Sequence, residues 1–187
     1  SYASLHGFDL MGKVVASSSE TPFANFIKKL NATDWVRQGH THFAGQTDGK
    51  CPYCQQKLPV SFEDDLLKCF DAQYQEDIAA ISNFQSVYVS EMSSLVRTFE
   101  SNLDDVLPGL NTDEYQAKVK NFKDAITINT QRIEAKVKEP TTVASLEDTD
   151  SLLLEIGSII DQMNDQIEAH NTLVGDKKNQ QSKCSKE

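Results

Sequence analysis

The sequence runs to 187 residues, 39% of them hydrophobic, with a formal net charge of −10 and a pI near 4.8. A surface that acidic repels phosphate and disfavours broad nucleic-acid binding. No run of about 18 apolar residues offers a membrane span, so neither nucleic acid nor membrane is an expected partner. With 8 glycines and 5 prolines the chain has few breakers, and long continuous elements are expected. The chain opens at Ser1 without a methionine or a signal-peptide pattern, as a piece of something larger would. Cys51, Cys54, Cys69 and Cys184 are too unevenly scattered for a disulfide framework. That favours a reducing, cytoplasmic setting.

Residues 1–20 show no clear period. Gly7, Gly12 and Ser17-Ser18-Ser19 suggest a loose segment, such as a strand separated from its sheet. Thr21-Pro22 is an N-cap followed by proline at the first helical position. Phe23, Phe26, Ile27 and Leu30 then mark one helical face. Thr33 can cap a second short helix holding Trp35 and Val36, which Gly39 ends. Residues 39–60, GHTHFAGQTDGKCPYCQQKLPV, read as a loop.

Ser61 has the look of an N-cap, with Glu63, Asp64 and Asp65 complementing the helix dipole. An apolar series follows: Leu67, Phe70, Tyr74, Ile78, Ile81, Tyr88, Met92, Leu95, Phe99, Leu103 and Val106. No glycine or proline interrupts residues 61–107. At about 1.5 Å per residue, one helix over that span would reach roughly 70 Å. A helix that long cannot bury its stripe alone and needs a partner. Pro108-Gly109 stops it and Thr112 recaps. Tyr115, Val119, Phe122, Ile126, Asn129, Ile133 and Val137 then follow the heptad steps of a coiled-coil seam.

Pro140 ends that helix. Asp148 or Thr149 caps a last one, whose stripe is Leu153, Ile156, Ile160, Met163, Ile167, His170 and Val174, with Gly175 as its C′ residue. The expected fold is therefore all-α: a long antiparallel coiled-coil hairpin over 61–175, preceded by an N-terminal segment, 1–60, with short helices and a cysteine-containing loop. A polar tail, 176–187, frays. A last helix folding back into a three-helix bundle is the alternative.

Cys51-Pro52-Tyr53-Cys54 is the sharpest local signal. Two thiolates two residues apart in a tight turn both reach one zinc ion, and such a pair supplies half of a tetrahedral site. His40 and His42 can supply the other half, or a second protomer can. Alternatively the pair stays reduced and packs in the loop, and His40 and His42 are surface histidines. No βαβ pattern surrounds the pair, which argues against a thioredoxin-like role. His170 and Asn129 sit on heptad seams, where Asn fixes register. No GxxxxGK[ST], GxGxxG, GxSxG or HExxH occurs, and no catalytic residue is expected in this stretch.

Thr33-Asp34-Trp35-Val36-Arg37-Gln38-Gly39, followed by Cys51-Pro52-Tyr53-Cys54-Gln55-Gln56, resembles a stretch of bacterial AAA/ABC-type P-loop ATPases, the family that includes the PrrC and RloC anticodon nucleases. Lys138-Glu139-Pro140 and Ile167-Glu168-Ala169-His170-Asn171 are similar as well. The resemblance implies a parent ATPase with a split nucleotide-binding head. This chain would be the helical insertion between the head lobes, contacting them and coupling them to an effector. Some members of that family act in phage defence by cleaving tRNA. The resemblance brings no ATP-binding or nuclease residue to this stretch. Cys51 and Cys54 match the family's cysteine pair, and a homodimer through that pair or the coiled coil is a further expectation.

Overall fold

A computed structural model describes residues 2–43, 45–104, 106–107 and 109–184; the side chains of 176 and 178–184 are outside the description. The all-α expectation holds. After a single 3₁₀ turn at Tyr2–Ser4 come α1 (His6–Met11), α2 (Pro22–Lys29), α3 (Thr33–Phe43), α4 (Phe62–Cys69), α5 (Ala72–Ser101), α6 (Asp113–Lys138) and α7 (Thr149–Cys184). Among the described residues the one β-type pairing is an isolated antiparallel bridge, Lys50 to Lys57. No described helix is long and apolar enough to cross a membrane. The chain forms two compact units, residues up to Glu91 with Asn129–Leu146, and Met92–Ile128 with the residues from Glu147 on.

In the first unit the N-terminal segment is neither loose nor a strand. Tyr2 is buried and its ring meets Phe8, Phe84 and Tyr88, the last at 5.0 Å, edge to face. Gly7 lies so close to α5 that a Cβ there would stand 2.2 Å from the carbonyl oxygen of Ala80. The glycine that looked like a loop residue is thus a packing residue, letting α1 touch the α5 backbone. Leu10 and Val15 complete a core with Tyr74 and Ile81. Backbone bonds from Val15 N–H to Pro140 and from Ala144 N–H to Met11 then fasten this segment to the chain after α6.

The expected single helix from residue 61 is broken. α4 ends at Cys69, and Asp71 starts α5 afresh by accepting from the backbone N–H of Tyr74 at 2.8 Å. Its other oxygen accepts from the Ser17 hydroxyl and from both the N–H and the hydroxyl of Ser18. The break resets the helical phase. Leu66 is buried and Leu67 is 68% exposed, the reverse of the stripe expected from one continuous helix. Cys69 at the end of α4 joins Ala24 and Ile27 in a core between α2 and α4. Thr21 caps α2 as expected, accepting from Ala24 N–H, whereas Ser61 stands at the α4 N-cap without a side-chain bond. α5 and α6 meet at Tyr88, whose hydroxyl accepts from the buried seam residue Asn129 at 2.9 Å.

In the second unit Phe99 meets Phe122 at 5.7 Å, and the Tyr115 hydroxyl donates to the Phe99 carbonyl while accepting from Asn102. Burial pushes the Tyr115 phenol up. Lys118 pairs with Glu155, placing α7 beside α6. Thr112 stands at the start of α6, its carbonyl accepting from Gln116 N–H and its hydroxyl from the Gln116 side chain, and Asn111 adds a bond from Asp113 N–H. Of the expected stop, Gly109 has φ +91° and Pro108 lies outside the described residues. Asp148 is the α7 cap. Gly175 does not end α7, which continues to Cys184; of the expected tail, 185–187 lie outside the described residues. Ile156 and Ile159 are buried, but His170 and Val174 are exposed, so the far part of the α7 stripe is not a seam.

The bonds from Tyr74 N–H and the two serines hold the Asp71 carboxyl down at about 2. An unfolded aspartate titrates near ~3.9. Its contribution is therefore complete above that value and is lost as pH falls from about 4 to about 2. Asp71→Ala is expected to cost about 1 kcal/mol near neutral pH, as loss of an N-cap does. Urea unfolding should show most of that loss disappearing in acid; an equal loss at both ends would contradict the assignment.

Candidate functional site

The residues of the WVRQG segment converge on one place, the C-terminal end of α6. α3 begins at Thr33, so Asp34 lies in its first turn and Arg37 and Gln38 one turn on. Arg37 donates through Nη2 to the carbonyls of Val137 and Lys138, at 3.3 and 2.7 Å, and Gln38 donates to Lys138 at 2.8 Å. These are carbonyls of a helix end, left without intrahelical donors and carrying the negative pole of the helix dipole. A guanidinium there answers both needs. Asp34 accepts through Oδ2 from the N–H and hydroxyl of Thr141, beyond Pro140.

Under this clamp lies Lys136, fully buried. Its ammonium donates to three backbone carbonyls, those of Lys13, Pro140 and Thr142. Burial pushes its pKa down and the nearby Asp34 charge pushes it back up. Three buried polar atoms of the first unit, Asp34 Oδ1, Arg37 Nε and the Tyr74 hydroxyl, lack a partner in good hydrogen-bond geometry, although the Arg37 guanidinium lies near enough to Tyr74 to favour its phenolate. Burial drives the Tyr74 phenol up to about 12, against the attraction of Arg37. The sequence stripe assigned this part of the seam to Val137, which does pack, partly buried, against the Leu10–Tyr74 core; the fully buried position beside it belongs to the charged Lys136. The signal that could have found it is a lysine one residue off the heptad, just before a proline break.

α3 continues past Gly39 to Phe43, so His40 and His42 are helical rather than loop residues. Gly39 has open space around it and needs no turn. His40 Nε2 lies 2.9 Å from Glu63 on α4, and His42 is exposed. Beyond α3 the cysteine pair sits in a compact turn. Gln55 N–H bonds back to the Cys51 carbonyl, Cys51 N–H bonds to the Gln56 carbonyl, and Gln55 adopts φ +59°. The backbone N–H groups of Cys54 and Tyr53, and less strongly the Cys54 thiol, favour the Cys51 thiolate and hold its pKa down. Cys54 is exposed and Cys51 half-buried. Tyr53, between them, leans on the exposed Trp35 of α3 at 5.7 Å.

The turn suits zinc as two ligands do: the sulfurs share one turn, and N–H donors stabilise a thiolate. Among the described residues no group of three or more His, Cys, Asp or Glu comes together, so His40 and His42 are not assembled with Cys51 and Cys54 into one four-ligand set. Cys69 is buried in the α2–α4 core, where burial raises its thiol pKa.

The stretch nearest in spelling to a phosphate-binding loop is Gly7 to Lys13, with Val14 where a Ser or Thr would stand. It folds as α1 pressed on α5, with Gly7 against the Ala80 carbonyl. A helix packed in this way presents no loop of free N–H groups to a phosphate. In the second unit an open cleft of about 210 Å³ is lined by apolar residues including Leu107, Leu110, Ile160 and Met163, with no charged side chain in its described lining.

A family model for an AAA domain, AAA_13, matches residues 3–187. The chain belongs to this AAA family. No curated protein and no solved structure matched. Within this AAA-family chain, the two segments that carry the ATPase resemblance are thus a helix-end clamp and a thiol turn, both in the first unit.

Lys136→Met keeps the bulk but removes a donor from the carbonyls of Lys13, Pro140 and Thr142; Val15 N–H still serves Pro140, so two partly buried carbonyls are left short of a donor, each costing about 1–3 kcal/mol. Partial relaxation should reduce the total to about 2–4 kcal/mol, read as a lower urea midpoint with an unchanged slope. A midpoint unchanged from wild type would show that the ammonium contributes nothing.

Proposed function

We propose that this chain is a non-catalytic coupling segment of an AAA-type ATPase, transmitting the state of the nucleotide-binding head to a partner or effector. The reading rests on one observation above all: Asp34, Arg37, Gln38 and Lys136 are spent on fixing α3 and the N-terminal segment to the end of α6. A joint of this kind suits a part that must move as a body. Membership of the AAA family supports the ATPase context. The head lobes are its nearest partners, and phage defence or RNA restriction, in a cytoplasmic setting, is the biological context that the PrrC and RloC resemblance suggests. The chain alone should hydrolyse no ATP. In the full-length ATPase, Arg37→Ala should leave nucleotide affinity within about twofold while reducing the response of the effector to ATP. Turnover by the chain itself, or an Arg37→Ala parent with intact coupling, would remove the reading.

A second reading has its own observation, the thiolate-stabilising turn at Cys51 and Cys54. Two copies of this chain would bring four sulfurs, the full complement of a structural zinc site. Metal analysis together with light scattering, with and without a chelator, separates the cases: a zinc-containing dimer that chelation splits favours it, and a metal-free monomer rejects it.

A further inference from the structure

Two observations at the Cys51–Cys54 turn lead beyond coupling and beyond metal. The first is that both sulfurs belong to one closed turn. A turn holds Cα atoms three residues apart within about 7 Å, and a disulfide spans about 4.4–6.8 Å between Cα atoms. Gln55 N–H bonds to the Cys51 carbonyl and Cys51 N–H to the Gln56 carbonyl, which closes the chain on itself around the two cysteines. The second is the path out of the turn. Tyr53, held between the two cysteines, stacks on Trp35, the sole tryptophan of the chain. Trp35 stands next to Asp34 and two residues before Arg37, on the helix that clamps α6.

We propose that Cys51 and Cys54 form a regulatory dithiol that closes to an intramolecular disulfide at the expense of a small-molecule disulfide of the glutathione class, with Tyr53 and Trp35 passing the change to α3. One thiolate attacks a sulfur of the oxidised glutathione, forming a mixed disulfide and releasing one glutathione thiolate. The other cysteine, deprotonated, attacks the protein sulfur of that mixed disulfide and releases the second. The dithiol is oxidised by two electrons, the glutathione disulfide is reduced to two thiols, and the two cysteine protons pass to them. This is a switch within a helical protein rather than thioredoxin-type catalysis, and it does not depend on the coupling reading. Cys69, buried in the α2–α4 core, is kept out of the exchange.

The test uses the full chain with Cys184→Ser, in chelator so that metal cannot mask the thiols, equilibrated across buffers of reduced and oxidised glutathione. Mass spectrometry of acid-quenched samples should show loss of two hydrogens without a glutathione adduct, mapped to the peptide joining Cys51 and Cys54. Trp35 emission should change with the same midpoint. Cys51→Ser and Cys54→Ser should each stop at a single glutathione adduct. The proposal is overturned if the folded chain stays a dithiol or rests at the mixed disulfide in oxidising buffer, or if closure leaves Trp35 emission unmoved.

Discussion

The first unit depends on a buried ammonium. Lys136 has no exposed surface, and the carbonyls it binds come from the N-terminal segment and from the turn after α6. Burying a charge is costly unless it is fully hydrogen-bonded. The carbonyls of Lys13, Pro140 and Thr142 can meet that requirement only if the segment at 13–15 and the turn at 140–142 are in place together. One charge thus makes two distant stretches of chain interdependent. Arg37 and Gln38 cover the carbonyls of Val137 and Lys138, so the last two carbonyls of α6 are met by donors from outside its own helix.

The second unit is held differently. Its buried residues are mostly aromatic and aliphatic, Phe99, Tyr115, Phe122 and Ile156 among them, and its charged pairs, Lys118 with Glu155, Lys123 with Glu100 and Lys120 with Asp124, are half-exposed or exposed. Exposed pairs of this kind contribute little, so apolar burial carries this unit. The contrast with the first unit is chemical. Apolar packing holds both units; the first adds a set of directed polar bonds at the end of α6. A segment that has to hold a fixed joint gains from such bonds, since they tolerate few alternative arrangements.

Periodicity made the α6 stripe legible from Tyr115 to Ile133, because apolar side chains at alternating steps of three and four fall on a single helical face. Caps at Thr21 and Asp148 were legible for the same kind of reason, a side-chain oxygen ahead of an apolar run. The break at Asp71 was not. It has no proline or glycine, and its cause is a carboxylate whose other partners, Ser17 and Ser18, lie more than fifty residues away. The same holds for Gly7, whose role appears only when α1 meets α5. Of the candidate site, the motif positions were visible but their direction was not. Nothing local says that Arg37 reaches carbonyls a hundred residues on, or that α3 runs through Gly39 and carries His40 to Glu63. Long-range polar geometry leaves no period in a sequence.

The central claim is that α3 holds the end of α6. Amide hydrogen exchange on the intact chain and on Arg37→Ala tests it most directly, because exchange resolves local opening from global loss of stability. The account predicts faster exchange confined to residues 132–142 and the segment around Val15, with the α6 amides near Phe122 unchanged. Protection at 132–142 equal to that of the unaltered chain would contradict it.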